Sequence, residues 1–414
     1  MNTNLIQKIA ILISWPREID MLLPLIKKIP KKKVIVIAND NNSIEKGRTK
    51  SNKLISILLK KNNINFELFS NIYNKKKYKV LISTGETSGK KITLFSLLRF
   101  LYAYTFGYII QKTKLFIIFE KIFNKPFTAD GFNCKLGLPW YPEKKIGEII
   151  IKYPDGADLK KKNYPYNFLK KVFDIFLVYT DIEISLIKKK FGSKICKKID
   201  YFRYKNLSNK KISFKDFEEN KHYNKNRKNI YWLPTHIDLN NENDLNIKLW
   251  FKKIVFLRKN FNLIIRPHPK TILSNNNILK ELADEKFIID YNSNRKIGDI
   301  INHSALVFCD YGGPVFSTIY LNKPLVLLNL PKKSKYLLDL EINQSLDIKI
   351  RQELISLDIK NSEKEIFKKI NSSLNNKYKK KIIKVRNKYF GPNKPYSVDQ
   401  LSNFLITLIK KSNY

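Results

Sequence analysis

Cysteine is rare in this chain of 414 residues: Cys134, Cys196 and Cys309 are odd in number and far apart. They build neither a disulfide framework nor a zinc site, and a reducing compartment suits them. Arginine is scarce too, at ten of the 79 basic residues, and acids number 36, leaving a net charge of +43. The side chain that reads phosphates and bases bidentately is thus the one in short supply. Lysine is spread over nearly every surface segment beside abundant Asn and Ile, which reads as a compositional bias that also makes the surface positive. Nucleic acid is therefore not the expected partner, although such a surface attracts anionic headgroups and phosphorylated substrates.

Other absences narrow the class. The first apolar run, Lys8 to Ser14, is short and followed by Trp15-Pro16-Arg17-Glu18, so no secretory leader is expected and the cytoplasm is the expected location. The most membrane-like stretch, Ile92 to Ile110, contains Arg99 and is followed by Lys112 and Lys114. A spanning helix needs about 20 mostly apolar residues, so this one reads as one or two buried helices. A peripheral contact with the inner membrane surface is the alternative, given its Tyr and Phe content. No spacing suits metal ligands, no cofactor is implied, and no internal repeat is found. No Asp-x-Asp follows an apolar strand in the first half.

What is present is 43% apolar residues, enough for packed cores, and a length that suggests two or three domains. Short β-branched runs alternate with helical patterns. Strands are predicted over 9–14, 34–39, 64–69, 79–83, 148–153, 174–179 and 195–201, several apolar throughout, as in strands covered on both faces. A polar stretch, 207–228, reads as a linker between domains at 1–206 and 229–390. Beyond it strands are predicted at 230–233, 263–266, 287–290, 305–309 and 325–329, with helices between them, and a last helix over 391–414. The fold class is α/β: two parallel, Rossmann-like sheets with a cleft between them, ligands lying outside the strands' carboxyl ends.

Four segments carry candidate chemistry. In LIIRPHPK, Leu263 to Lys270, an apolar strand runs into Arg266-Pro267-His268-Pro269. Two prolines stiffen the exit, and a guanidinium and an imidazole there suit a phosphate. In CDYGGPVFST, Cys309 to Thr318, a strand ends at Asp310, Gly312-Gly313 lets the backbone bend close to a ligand, and Pro314 opens a helix carrying Ser317 and Thr318. The positive end of that helix is an anion site. In EIIIKYPDGAD, Glu148 to Asp158, a strand ends in Tyr153-Pro154 and Asp155-Gly156 forms a tight turn expected to face the cleft. In STGETSGKK, Ser83 to Lys91, the glycines lie too close together for a phosphate-binding P-loop. Ser88 there either caps a helix starting near Lys90 or faces the acceptor. Pro234, Thr235 and His236 end another strand and line the cleft.

Arg266, His268 and Pro269, then Asp310 and Tyr311, then Lys323-Pro324, together resemble the CDP-glycerol glycerophosphotransferase family that builds teichoic acids and capsular polymers. That family has an R-x-H-P strand end, a D-Y-S-S segment opening a helix, and a later K-P; its strand ending in P-T is matched by Pro234-Thr235. The likeness is good over 153–330 and poor before that. Gly312-Gly313 stand where the family has two serines, and Asp155-Gly156 where it has His-Gly. Bacterial sialyltransferases and polysialyltransferases are similar in pairing an acidic-Gly motif with a downstream H-P. The resemblance implies a GT-B-type, metal-independent transferase. It would move a glycerophosphate or sugar group from a cytidine-activated donor to a polymer or lipid-linked acceptor. His268 and Asp155 would be catalytic, Asp155 as the base in place of the family's His and Asp158 as its substitute, with Arg266, Pro234, Thr235, His236, Asp310, Gly312, Gly313, Ser317 and Thr318 on the donor and Gly156 and Ser88 on the acceptor. Two other readings stay open. D-Y-G-G before K-P is similar to the D-S-G-G of UDP-N-acetylglucosamine 2-epimerases, though Pro314 to Ser317 supply no carboxylate there. A non-catalytic nucleic-acid or membrane-binding protein would rely on charge alone.

Overall fold

The computed structural model describes residues 5–40, 48–85, 89–91, 138–154, 166–192, 194–205, 214–235, 246–268, 271–272, 276–292, 295–331, 337 and 345–410. The stretch 92–110, Asp155, Gly156, Asp158, Ser88 and His236 lie outside these residues. Two sheets dominate. The first contains β1 (Leu5–Ile13), β2 (Val34–Ala38), β3 (Phe66–Leu68) and β4 (Lys77–Ser83). A short antiparallel ribbon follows, β5 (Gly89–Lys91) on β6 (Leu138–Trp140), and the sheet resumes with β7 (Gly147–Lys152), β8 (Ile175–Val178) and β9 (Ile195–Lys198). Its order is β3-β2-β1-β4-β7-β8-β9, parallel throughout. The second contains β10 (Lys228–Leu233), β11 (Phe261–Ile265), β12 (Ile288–Ile289), β13 (Leu306–Cys309), β14 (Leu325–Leu328) and β15 (Ser356–Leu357). Its order is β12-β11-β10-β13-β14-β15, again all parallel.

Each order reverses direction once, between β1 and β4 and between β10 and β13. Those are the points where doubly wound sheets open a crevice at their carboxyl ends. The physical cause is visible in burial: Ile9 to Ile13, Ile230 to Leu233, Leu306 to Cys309 and Leu325 to Leu328 are almost wholly buried, as strands covered by helices on both faces must be.

Five helices matter for the site: α1 (Pro16–Lys28), α2 (Phe202–Lys205), α3 (Ile297–His303), α4 (Gly313–Tyr320) and α5 (Asn376–Phe390). A sixth, α6 (Val398–Lys410), returns to pack on α1, β1 and β4 of the first sheet. The break at Gly391-Pro392 falls between α5 and α6, with Gly391 at φ +77°.

Two local expectations fail. Lys90 and Lys91 start no helix, because Gly89–Lys91 pairs with Leu138–Trp140 as a strand; a cap at Ser88 has no helix there to serve. The polar stretch before β10 also holds more structure than its composition suggests. The Arg295 guanidinium lies 4.7 and 4.5 Å from the Phe214 and Phe217 ring centroids, and the Phe214 ring stacks on His303 at 3.6 Å. Phe214, Phe217 and Tyr223, all packed on the core, hold this largely polar segment in place.

The two halves touch along the cleft. The Tyr204 hydroxyl on α2 donates to Ser317 Oγ on α4 at 2.6 Å, and Tyr320 donates to Asp200. Lys296, just before α3, lies 3.6 Å from Asp20 on α1, which also pairs with Arg203 at 3.6 Å. α1 and α3 begin just beyond strand exits of opposite sheets, so the two carboxyl edges face each other.

Candidate active site

Three strand exits of the second sheet meet at its switch point. β10 lies between β11 and β13, and strands are about 4.8 Å apart, so the tips after β11 and β13 stand about 10 Å apart across β10, on one edge. The Arg266 N–H bonds Trp232 O at 3.0 Å, carrying the β11 exit alongside β10. Thr235 Oγ1 donates to the Tyr311 carbonyl at 2.5 Å, tying the β10 exit to the β13 exit.

The turn after β13 depends on glycine. Gly312 sits at φ +82°, ψ −156°, a region that costs an L side chain strain, and it caps α4. Among the described residues a Cβ on Gly313 would meet nothing within 4 Å, which leaves space there for an approaching group. Asp347 occupies part of this helix end: its Oδ2 accepts from Gly312 N at 2.7 Å while Ser345 donates to its Oδ1 at 2.6 Å. Ser317 and Thr318 donate back to the carbonyls of Gly313 and Pro314 at 3.0 and 2.8 Å. Thr318 is fully buried and serves the helix, and Ser317 faces the domain seam through Tyr204.

Arg266 is braced rather than loose. Its Nη1 donates to Arg295 O at 2.7 Å and lies 3.7 Å from Asp290 Oδ2, at the exit of β12. Asp290 is buried and also accepts from Arg295 Nε at 3.3 Å. Burial raises the Asp290 carboxyl above its ordinary range, and the Arg266 and Arg295 charges pull it back. Burial likewise lowers Arg266, which stays charged as guanidinium does at neutral pH. His268 is half-buried at the tip after β11, its carbonyl accepting from Ile272 N at 3.2 Å.

Asp310 is in the sheet's core. It is 1% exposed and accepts from Trp232 Nε1 at 3.3 Å and from Asn246 Nδ2. Those contacts make it an anchor for the β13 exit. Burial pushes its carboxyl up to about 7. The folded chain therefore holds the Asp310 proton more tightly than the unfolded chain, whose carboxyl titrates near 4. Stability contributed by this group is greatest below pH 4 and falls as pH rises toward 7, by about 1.4 kcal/mol per pH unit for one proton. Urea melts of wild type and Asp310→Asn between pH 4.5 and 7.5 should show this slope removed in the variant; an unchanged slope would contradict the buried-acid assignment.

Sequence reasoning missed Asp347, Asp290, Arg295 and Arg351. Arg351 lies 3.8 Å over the Tyr311 ring and donates to Leu328 O and Asn329 Oδ1 at 3.2 and 2.6 Å, clamping the β13 and β14 exits. None sits in a recognisable motif, and no local pattern at these positions announces their partners.

On the first sheet, the Lys152 ammonium donates to the carbonyls of Thr84 and Tyr153 at the ends of β4 and β7. Glu18 accepts from Ser14 N and Thr84 Oγ1, both at 2.6 Å, and is fully buried. Tyr153 N bonds Ser83 O at 2.9 Å, so the chain leaves β7 toward Asp155 from the carboxyl edge, beside the first switch point.

Two Rossmann-like parallel-sheet domains, the second with a glycine turn opening α4 at its switch point, give the chain a GT-B-type architecture. The chain matches the model of the family described as CDP-Glycerol:Poly(glycerophosphate) glycerophosphotransferase over residues 49–405. It belongs to that family and is a glycerophosphotransferase. No curated protein matches it by sequence. Among solved structures it is similar to the wall teichoic acid polymerase TagF, at 13% identity and TM-score 0.51, covering 98% of this chain and 88% of that one. A variant of that polymerase soaked with CDPG gives 14% and 0.52, covering 99% and 89%. A putative UDP-N-acetylglucosamine 2-epimerase from Listeria monocytogenes gives 13% and 0.53, covering 98% and 96%. At such identities these likenesses concern the fold, which polymerase and epimerase share. No helix among the described residues is long and apolar enough to cross a membrane.

Proposed function

We propose that the chain transfers a glycerophosphate group from CDP-glycerol to the hydroxyl end of a teichoic-acid-like polymer. The observation that carries this is the meeting of the β10, β11 and β13 exits on one edge, with open space over Gly313 and Arg266 braced beside it. The acceptor hydroxyl attacks the phosphorus bearing glycerol, a new P–O bond forms, and the bond to the bridging oxygen breaks to release CMP. Asp155 takes the hydroxyl proton. Arg266, His268 and the N–H of Gly313 stabilise the negative charge that builds on the leaving phosphate. In this account the protein's own cations do the work often given to a metal, so chelator should leave the rate unchanged. Pro234 and Thr235 hold the β10 exit against the cleft, with His236 beyond them, and Asp310 anchors the neighbouring turn. Ser317 links that turn's helix to the opposite domain, Thr318 stiffens the helix, and Gly156 and Ser88 lie on the acceptor side. Closure over the donor would exclude water, and the chain would work at the inner face of the membrane, where lipid-linked acceptors are found.

Ligand binding to the folded state raises its stability by mass action, by about 2.7 kcal/mol at a hundredfold excess over Kd. CDP-glycerol should therefore raise the melting temperature by several degrees and yield CMP once a primer is added. UDP-N-acetylglucosamine alone should do neither and should give no epimer. Epimerisation without an acceptor would overturn the reading.

A further inference from the structure

We infer that α5 is a docking strip for the phosphodiester chain of the acceptor; this rests on the transferase reading and specifies where the polymer lies. The helix, NKYKKKIIKVRNKYF, holds six lysines and one arginine and not one acidic residue. Its buried side, Tyr378, Ile382, Val385, Tyr389 and Phe390, packs into the core. Lys377, Lys380, Lys381, Lys384 and Lys388 recur at three- and four-residue steps and form one exposed stripe on the other side.

The charge pattern works against the helix's own stability over most of its length, Lys388 in the last turn excepted. Lysines four apart repel, and Lys377 and Lys379 stand in the first turn, where the helix dipole disfavours cations. Among the described residues the stripe's one ion pair is Lys388 with Glu353 at 2.7 Å, a carboxylate shared with Tyr389 and also influenced by Lys381. Burial lowers the Lys323 proton affinity and the Lys379 charge lowers it further, so the basic surface continues onto the second sheet's domain. Such a stripe calls for a partner of repeating negative charge. At 1.5 Å per residue, lysines three or four apart rise about 5–6 Å. A polymer with one phosphate per three-carbon repeat, six backbone bonds, spaces its charges on that scale.

A lipid surface fits less well. Interfacial helices bury an apolar face in the headgroup region, whereas the apolar side of α5 is already spent on the core and Ile383 is the only large apolar side chain it exposes. The position suits an acceptor, because α5 packs against α4, whose amino end opens on the candidate donor site.

The test replaces Lys377, Lys380, Lys381 and Lys384 together by Gln in the full chain and leaves Lys388 to its Glu353 partner. Binding of fluorescent poly(glycerol phosphate) is measured by anisotropy across a salt series. The variant should bind about tenfold or more weakly at low salt and with a shallower dependence on salt, as lost phosphate contacts require. A variant with Arg at the same four positions should recover binding. Vesicles containing phosphatidylglycerol should bind wild type and the Gln variant alike. Equal polymer affinity in wild type and the Gln variant would overturn the proposal, and so would an equal or greater loss on vesicles. CDP-glycerol stabilisation, measured beside it, should not change. If CDP-glycerol fails to stabilise even the wild type while the polymer difference persists, the donor reading falls and the polymer strip stands.

Discussion

His268→Ala should abolish transfer and leave the fold intact. The side chain is half-buried at the tip beyond β11, and its truncation should cost about 1 kcal/mol, the centre of the range for point substitutions. The activity it removes is larger. A preorganised donor aimed at developing charge is worth about 10²–10³ in rate, because the surrounding protein has already been arranged around it. Arg266 and the Gly313 N–H would remain, so CDP-glycerol should still bind, more weakly, while kcat falls by about 10²-fold or more. Steady-state CMP release and a thermal melt on the same sample separate these effects. A variant with full activity would remove His268 from the mechanism.

Asp155→Asn should reduce kcat by about 10²–10⁴-fold, the usual contribution of a positioned general base. The change is isosteric and should leave KM for CDP-glycerol close to wild type, because the proposed donor contacts belong to the opposite domain. The acid limb of the pH–rate profile should disappear with the carboxylate, whereas Asp158→Asn should keep both rate and profile. The reverse pattern would move the base to Asp158. The residues leading to Asp155 are set by the first sheet: Tyr153 is bonded to Ser83, and Lys152 bridges Thr84 and Tyr153.

Strand positions were legible because strands buried on both faces are written as unbroken apolar runs, and Val34–Ala38, Leu306–Cys309 and Leu325–Leu328 fall where such runs predict. The two-residue strand Ser356–Leu357 was not legible, being too short to show any period. Motifs at strand ends were legible, since a strand exit rich in Pro or Gly is a local signal, and they fall together on the carboxyl edge of the second sheet. What those motifs do individually was less legible. Asp310 is a motif residue, yet its oxygens face Trp232 and Asn246, and Thr318 bonds its own helix. Side-chain direction in a turn depends on partners distant in sequence, as Asp347 beneath Gly312 and Arg351 over Tyr311 show.

The central claim is that the donor's phosphates lie at the shared edge of β10, β11 and β13. A crystal structure of His268→Ala, inactive but folded, soaked with CDP-glycerol tests it most directly. The account predicts phosphate oxygens within hydrogen-bond distance of the Gly313 N–H and facing Arg266. Density for the nucleotide at the first sheet, or on the far side of the second, would contradict it.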